Sequence, residues 1–90
     1  MIPTIGRTVI VHGVSSNGAT EHPAIITRVW GAGRDTRDSA VCINCTVFMD
    51  CGPASVFSSV MLFENREQVQ AHRGENPKAV VAHWPDLVAV

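Results

Sequence analysis

Tyrosine is absent from this 90-residue chain, tryptophan occurs only twice, and charged residues make up just 17% of it. The formal net charge is −1, from seven basic and eight acidic residues, so no global positive field draws in a polyanion, and long DNA or RNA is excluded as an expected partner. No apolar run approaches the roughly 18 residues that span a bilayer, which leaves no membrane partner to expect. Met1-Ile2-Pro3-Thr4 lacks the basic segment and apolar core of a secretory signal, so the expected location is the cytoplasm. There the three cysteines are expected to be reduced and buried, and the glycosylation match Asn44-Cys45-Thr46 carries no meaning.

What is present is apolar: 46% of the residues are hydrophobic. A single domain over 1–90 buries only a little over roughly 60% of its unfolded surface, so its core is modest. So apolar a composition leaves apolar surface exposed, and such patches mark interfaces, which favours a homo-oligomer.

The pattern is that of strands between polar breakers. Thr8 to Val14 is rich in β-branched residues and ends at the turn signal Gly13-Val14-Ser15-Ser16-Asn17-Gly18. Pro23, acceptable as a strand's first residue, opens Ala24 to Trp30, which stops at Gly31-Ala32-Gly33. Val41 to Phe48 forms the next run, with Asp50 to Pro53 as its breaker. Ser55 to Phe63 supplies one long or two short strands. Glu64 to His72 has good helix formers but a single strong apolar anchor, Val69, and reads as one short surface helix ended by Gly74-Glu75-Asn76-Pro77. Ala79 to Trp84 reads as the last strand. The predicted fold is mainly all-β: a small antiparallel barrel or sandwich, roughly five- to six-stranded and SH3-like, with at most one short helix.

Several chemical motifs fail on their context. Cys42-x-x-Cys45 lies inside a β-branched run, where residues three apart point to opposite faces, so the pair is not read as a zinc knuckle or a redox motif and no metal is expected. Gly31-Ala32-Gly33 follows a strand, yet no third glycine or helix follows as a dinucleotide fingerprint requires, so no cofactor is expected. Arg34 and Arg37 read as a solvated loop face. Serines and histidines are present without a nucleophile elbow or paired carboxylates to organise them, so no catalytic residue is assigned and the reading is not an enzyme.

Two clusters remain. Arg28 and Trp30, two apart on a strand, share one face together with Ile26. A guanidinium beside an indole suits a nucleotide, combining a phosphate donor with a stacking surface. The pair equally suits a barrel-end cap with the arginine in a cation–π contact. His83-Trp84-Pro85 has the same ambiguity: the indole can close the core while the imidazole faces solvent, and as neighbours on a strand the two must point opposite ways. His12 lies within a strand, as either a hydrogen-bonded structural histidine or a polar contact.

The ordered set Pro3-Thr4-Ile5-Gly6-Arg7, His22-Pro23-Ala24-Ile25-Ile26-x-Arg28-Val29-Trp30, Asn44-x-x-Val47-Phe48-x-Asp50 and His83-Trp84-Pro85 resembles a widespread group of small phage and prophage proteins. The resemblance covers most of the chain, departing in a longer stretch from Glu64 to Val81 and in the cysteines around Asn44. In size, β content and setting such proteins are similar to viral sponges that sequester the nucleotide signals of bacterial immunity, the anti-CBASS and anti-Thoeris proteins. By that analogy the chain is expected to bind a cyclic dinucleotide or cyclic ADP-ribose type of signal in the host cytoplasm without cleaving it. Trp30, Phe48 and Trp84 are the expected stacking residues, Arg7 and Arg28 the phosphate donors, and His12 and His83 the polar contacts. The alternative is an anti-CRISPR-like inhibitor that binds a host defence enzyme.

Overall fold

The structure is a computed structural model and describes residues 1–86. Its elements in chain order are β1 (Thr8–Ser16), β2 (Ala19–Val29), β3 (Val41–Val47), β4 (Ser55–Phe63), α1 (Arg66–Glu75) and β5 (Val81–His83). The strands form a closed barrel in the order β1-β2-β3-β4-β5.

Asn17 and Gly18, at φ 50° and 80°, make the tight turn between β1 and β2, where positive φ at both central residues matches the twist of the flanking strands. That turn carries the ladder to its end at Ser16↔Ala19, so both strands run further than their apolar segments suggest. Pro23 therefore lies inside β2 rather than opening it. It pairs with Ile10 on one side, but the β3 ladder ends at Ala24↔Val47 on the other, so the missing N–H interrupts no second ladder.

Alternation sets the core. Along β3, Val41, Ile43, Cys45 and Val47 are buried and the residues between them half-buried. Val9, Val11, Ala24, Ile26, Val60, Leu62, Ala82 and Trp84 join Ile43, Cys45 and Val47 in one cluster, and each such aliphatic side chain contributes about 1.5–3 kcal/mol on full burial. β5 closes the barrel by pairing antiparallel with β1 and parallel with β4. The parallel pair departs from an all-antiparallel expectation because α1 supplies the crossover between those strands. The closing strand is short: β5 pairs only with Ile10 to His12 of β1 and Met61 to Phe63 of β4, so the rest of β4 is paired on its β3 side.

α1 is capped by Asn65, whose Oδ1 accepts from Gln68 N at 3.0 Å while Gln68 Oε1 accepts from Glu64 N at 2.9 Å, a reciprocal arrangement that satisfies orphan amides. The helix starts and ends later than the sequence suggests. Gly74 does not stop it, and the Asn76 amide and Nδ2 close it on His72 O at 2.9 and 3.1 Å. Val69 is its buried anchor. The helix packs over β5 and against part of β4, giving the barrel a second buried layer that includes His12, Val81 and His83. Among the described residues no helix is long and apolar enough to cross a membrane.

Candidate functional site

On β2 and β3, Ile26 pairs with Cys45 but Arg28 pairs with Asn44, so Thr27 is an extra residue in β2. This bulge corrects the expected shared face: Ile26 points into the core with no exposure, while Arg28 and Trp30 lie outside it. Arg28 Cζ lies 3.8 Å from the centroid of the Trp30 ring, within cation–π range. Trp30 keeps 42% of its surface exposed, and its Nε1 donates to Asn44 Oδ1 at 3.0 Å.

Phe48, also exposed, follows the end of β3, with its amide donating to Pro23 O at 2.9 Å. It lies four positions along the chain from Asn44, about 13 Å in extended backbone, so it flanks the Arg28–Trp30 pair without joining it. Val56 and Met61 are exposed on β4 opposite the outward residues Thr46 and Cys42. The outer surface of β2, β3 and β4 thus carries exposed apolar side chains, Trp30, Phe48, Val56 and Met61, among polar ones that include Arg28, Asn44 and Thr46.

His12 and His83 occupy a different place. Their Nε2 atoms are 2.8 Å apart and their ring centroids 4.9 Å apart in the layer under α1. His83 is fully buried, against the expectation of a solvent-facing ring, because α1 covers the outward side of β5. Glu21 Oε1 lies 3.6 Å from His12 Nε2, and Arg66 joins Glu21 to Asp86 through ion pairs. Desolvation first, then the neighbouring His83, Arg66 and Arg73, lower the His12 pKa to about 4.

Trp84 is in the barrel core at 6% exposure. Its Nε1 donates to Thr36 Oγ1 at 2.8 Å. Buried Thr36 also holds the N-terminal residue, donating its backbone N–H to Met1 O at 2.9 Å. The Met1 ammonium pairs with Asp35 Oδ1 at 2.9 Å and Glu64 Oε2 at 3.2 Å. Arg7 lies over the Trp84 ring with Cζ 5.4 Å from its centroid. The side chains singled out from sequence therefore separate into an exposed platform, a buried histidine pair and a barrel-end cap.

Asn44, Thr36, Glu21 and Arg66 carry much of this geometry although none of them was expected as a site residue. Asn44 had a local signal, as a polar side chain within a β-branched run; the others are brought in only by long-range packing. Cys42 faces outward, half-buried, while Cys45 lies in the core with its thiol pushed up to about 11 by burial. Among the described residues no group of three or more His, Cys, Asp or Glu side chains is placed to hold a metal ion. A cleft of about 390 Å³ between the segment before β3 and α1, lined by Arg37, Phe63, His72 and Glu75 among others, is separate from the platform. Compared with known proteins, the chain matches no family model, no curated protein and no solved structure at a significant level.

Proposed function

We propose that this protein is a phage counter-defence protein that binds and sequesters a cyclic nucleotide immune signal, of the cyclic dinucleotide or cyclic ADP-ribose type, without cleaving it. The observation that carries this reading is Arg28 stacked on an exposed Trp30 whose indole N–H is held by Asn44. A base stacked on an aromatic contributes about 1–3 kcal/mol, and a guanidinium can grip phosphate with paired hydrogen bonds. The phage setting rests on the sequence resemblance.

Nanomolar capture corresponds to about −12 kcal/mol, more than one open platform supplies. A second copy related by two-fold symmetry would present Arg28 and Trp30 again and enclose a symmetric ligand, which makes the homo-oligomer part of the proposal. Arg28 and Trp30 touch the ligand in this reading and Phe48 flanks them, while Arg7 lies over Trp84 in the barrel-end cap. His12, His83 and Trp84, being buried, support the scaffold.

The test is to incubate the protein with a panel of cyclic dinucleotides and cyclic ADP-ribose isomers, measure the free ligand, then denature the protein and assay what is released. Depletion with intact recovery supports sequestration, and altered products identify an enzyme instead. No depletion sinks the nucleotide reading.

A protein target is the second reading, favoured by Val56 at 77% and Phe48 at 46% exposure on the same outer sheet surface. Aromatic and arginine side chains beside exposed apolar ones are the usual composition of a protein-binding surface. In that case the panel stays free, and Val56→Glu abolishes inhibition of the host enzyme without unfolding the barrel.

A further inference from the structure

We propose that Asn44 is the positioning residue of the Arg28–Trp30 platform, tying the orientation of the indole to an irregularity in the sheet. Asn44 sits opposite an extra residue on both neighbouring strands. On β2 the extra residue is Thr27, and on β4 two residues, Ser58 and Ser59, fall between the partners of Cys45 and Ile43. Ser59 takes the left-handed conformation at φ 57°, rare for a residue with a side chain, and such a bulge withdraws an amide from the ladder. Asn44 Oδ1 accepts that amide, Ser59 N, at 3.0 Å and Trp30 Nε1 at 3.0 Å.

Both partners are donors only, so the carboxamide has one possible orientation, with Oδ1 toward them and Nδ2 away. One oxygen thus joins the bulge of β4 to the ring that follows β2. Arg28, paired directly across from Asn44, covers a face of the same ring, so the indole is held at its N–H and at one face before any partner arrives. Preorganisation of this kind removes ordering cost from binding.

The inference deepens the nucleotide reading and, for the class of ligand, rests on it. The guanidinium of Arg28 and the Nδ2 of Asn44 are both donors, so the platform selects a planar partner with acceptors at its edge, such as a purine or a phosphate oxygen beside it.

Asn44→Ala and Asn44→Asp separate the roles. Aspartate keeps an acceptor for both N–H groups and removes the Nδ2 donor; alanine removes both. Two indole N–H resonances are assigned with Trp30→Phe. In Asn44→Ala the Trp30 resonance moves upfield and its emission becomes more accessible to acrylamide, while the Trp84 resonance stays; in Asn44→Asp the Trp30 N–H remains hydrogen-bonded, so its resonance stays or moves downfield, and its emission stays protected. An unshifted Trp30 resonance in Asn44→Ala, or an equal shift in both variants, overturns the proposal. If Asn44→Ala also loses the Trp84 resonance, Asn44→Asp decides: a retained Trp30 signal supports the proposal and a lost one overturns it. Where the wild type depletes cyclic di-AMP or another member of the panel, affinity falls about tenfold in Asn44→Ala and also falls in Asn44→Asp. A wild type that binds none of the panel removes the nucleotide reading, and the indole measurements still decide the role of Asn44.

Discussion

His12 and His83 face each other through Nε2 atoms 2.8 Å apart, so one ring must donate and the other accept. His83 Nδ1 lies 2.6 Å from Trp84 O, a carbonyl that can only accept, so Nδ1 carries the hydrogen of neutral His83. Its Nε2 is then a lone pair, and His12 must donate.

Acid should therefore destabilise the fold through His12. Its folded pKa, about 4, lies below the ordinary 6.5, so between these values the unfolded chain binds more protons than the native one. Stability is full above pH 6.5, falls as the pH drops through this window, and below it has lost about 3 kcal/mol at roughly 1.4 kcal/mol per tenfold change. Glu21 and Asp86 face the pair as anions and Arg66 and Arg73 as cations. Urea denaturation at pH 7.5 and 4.5 measures the loss, and His12→Gln, which keeps an N–H donor, should flatten the dependence. An equally steep profile in that variant would remove His12 as the cause.

The two tryptophans should differ sharply in cost. Trp84→Ala empties part of the barrel core and removes the shorter of two hydrogen bonds donated to Thr36 Oγ1, with an expected loss of about 3–5 kcal/mol. Trp30→Ala removes a half-exposed ring and should cost no more than about 1 kcal/mol. Equal thermal destabilisation of the two variants would mean that Trp30 closes the fold rather than serving a partner.

Gly13 cannot be replaced. It lies at φ 102°, and a Cβ there would stand 2.4 Å from Ala79 O, a backbone atom. Gly13→Ala adds left-handed strain to that collision and should cost about 2–5 kcal/mol. Gly33→Ala meets open space at φ 90° and should cost about 1–2 kcal/mol, from strain alone. Denaturation midpoints of the two variants test the ordering.

Thiol labelling should report the layers of the barrel. Cys51 is exposed, Cys42 half-buried and Cys45 in the core, where a pKa near 11 leaves almost no thiolate at neutral pH. A neutral-pH reagent should modify Cys51 first, Cys42 slowly and Cys45 only with global unfolding. Early modification of Cys45 would show that the β3 core opens locally.

The strands were legible because their signals are local. Val41 to Val47 alternates in β-branched and small apolar residues, and Asn17-Gly18 meets the stereochemical demand of a tight hairpin. The bulges at Thr27 and Ser59 were not, since neither has a glycine to mark it and both exist to reconcile the register of strands distant in sequence. The expected companionship of Ile26 with Arg28 failed at that point.

Sequence alone determined a small, mainly β fold, barrel or sandwich, with at most one short helix, because side-chain alternation and turn chemistry act over a few neighbouring residues; closure into a barrel came from the tertiary structure. Only the tertiary structure decided which tryptophan is core and which is surface. Both stand beside a cation or an imidazole in the chain, but Trp84 follows the strand that closes the barrel between β1 and β4, while Trp30 leaves β2 beyond a bulge. It likewise decided that His83 is buried, because the helix that covers it is placed by packing of Val69 and not by anything near residue 83.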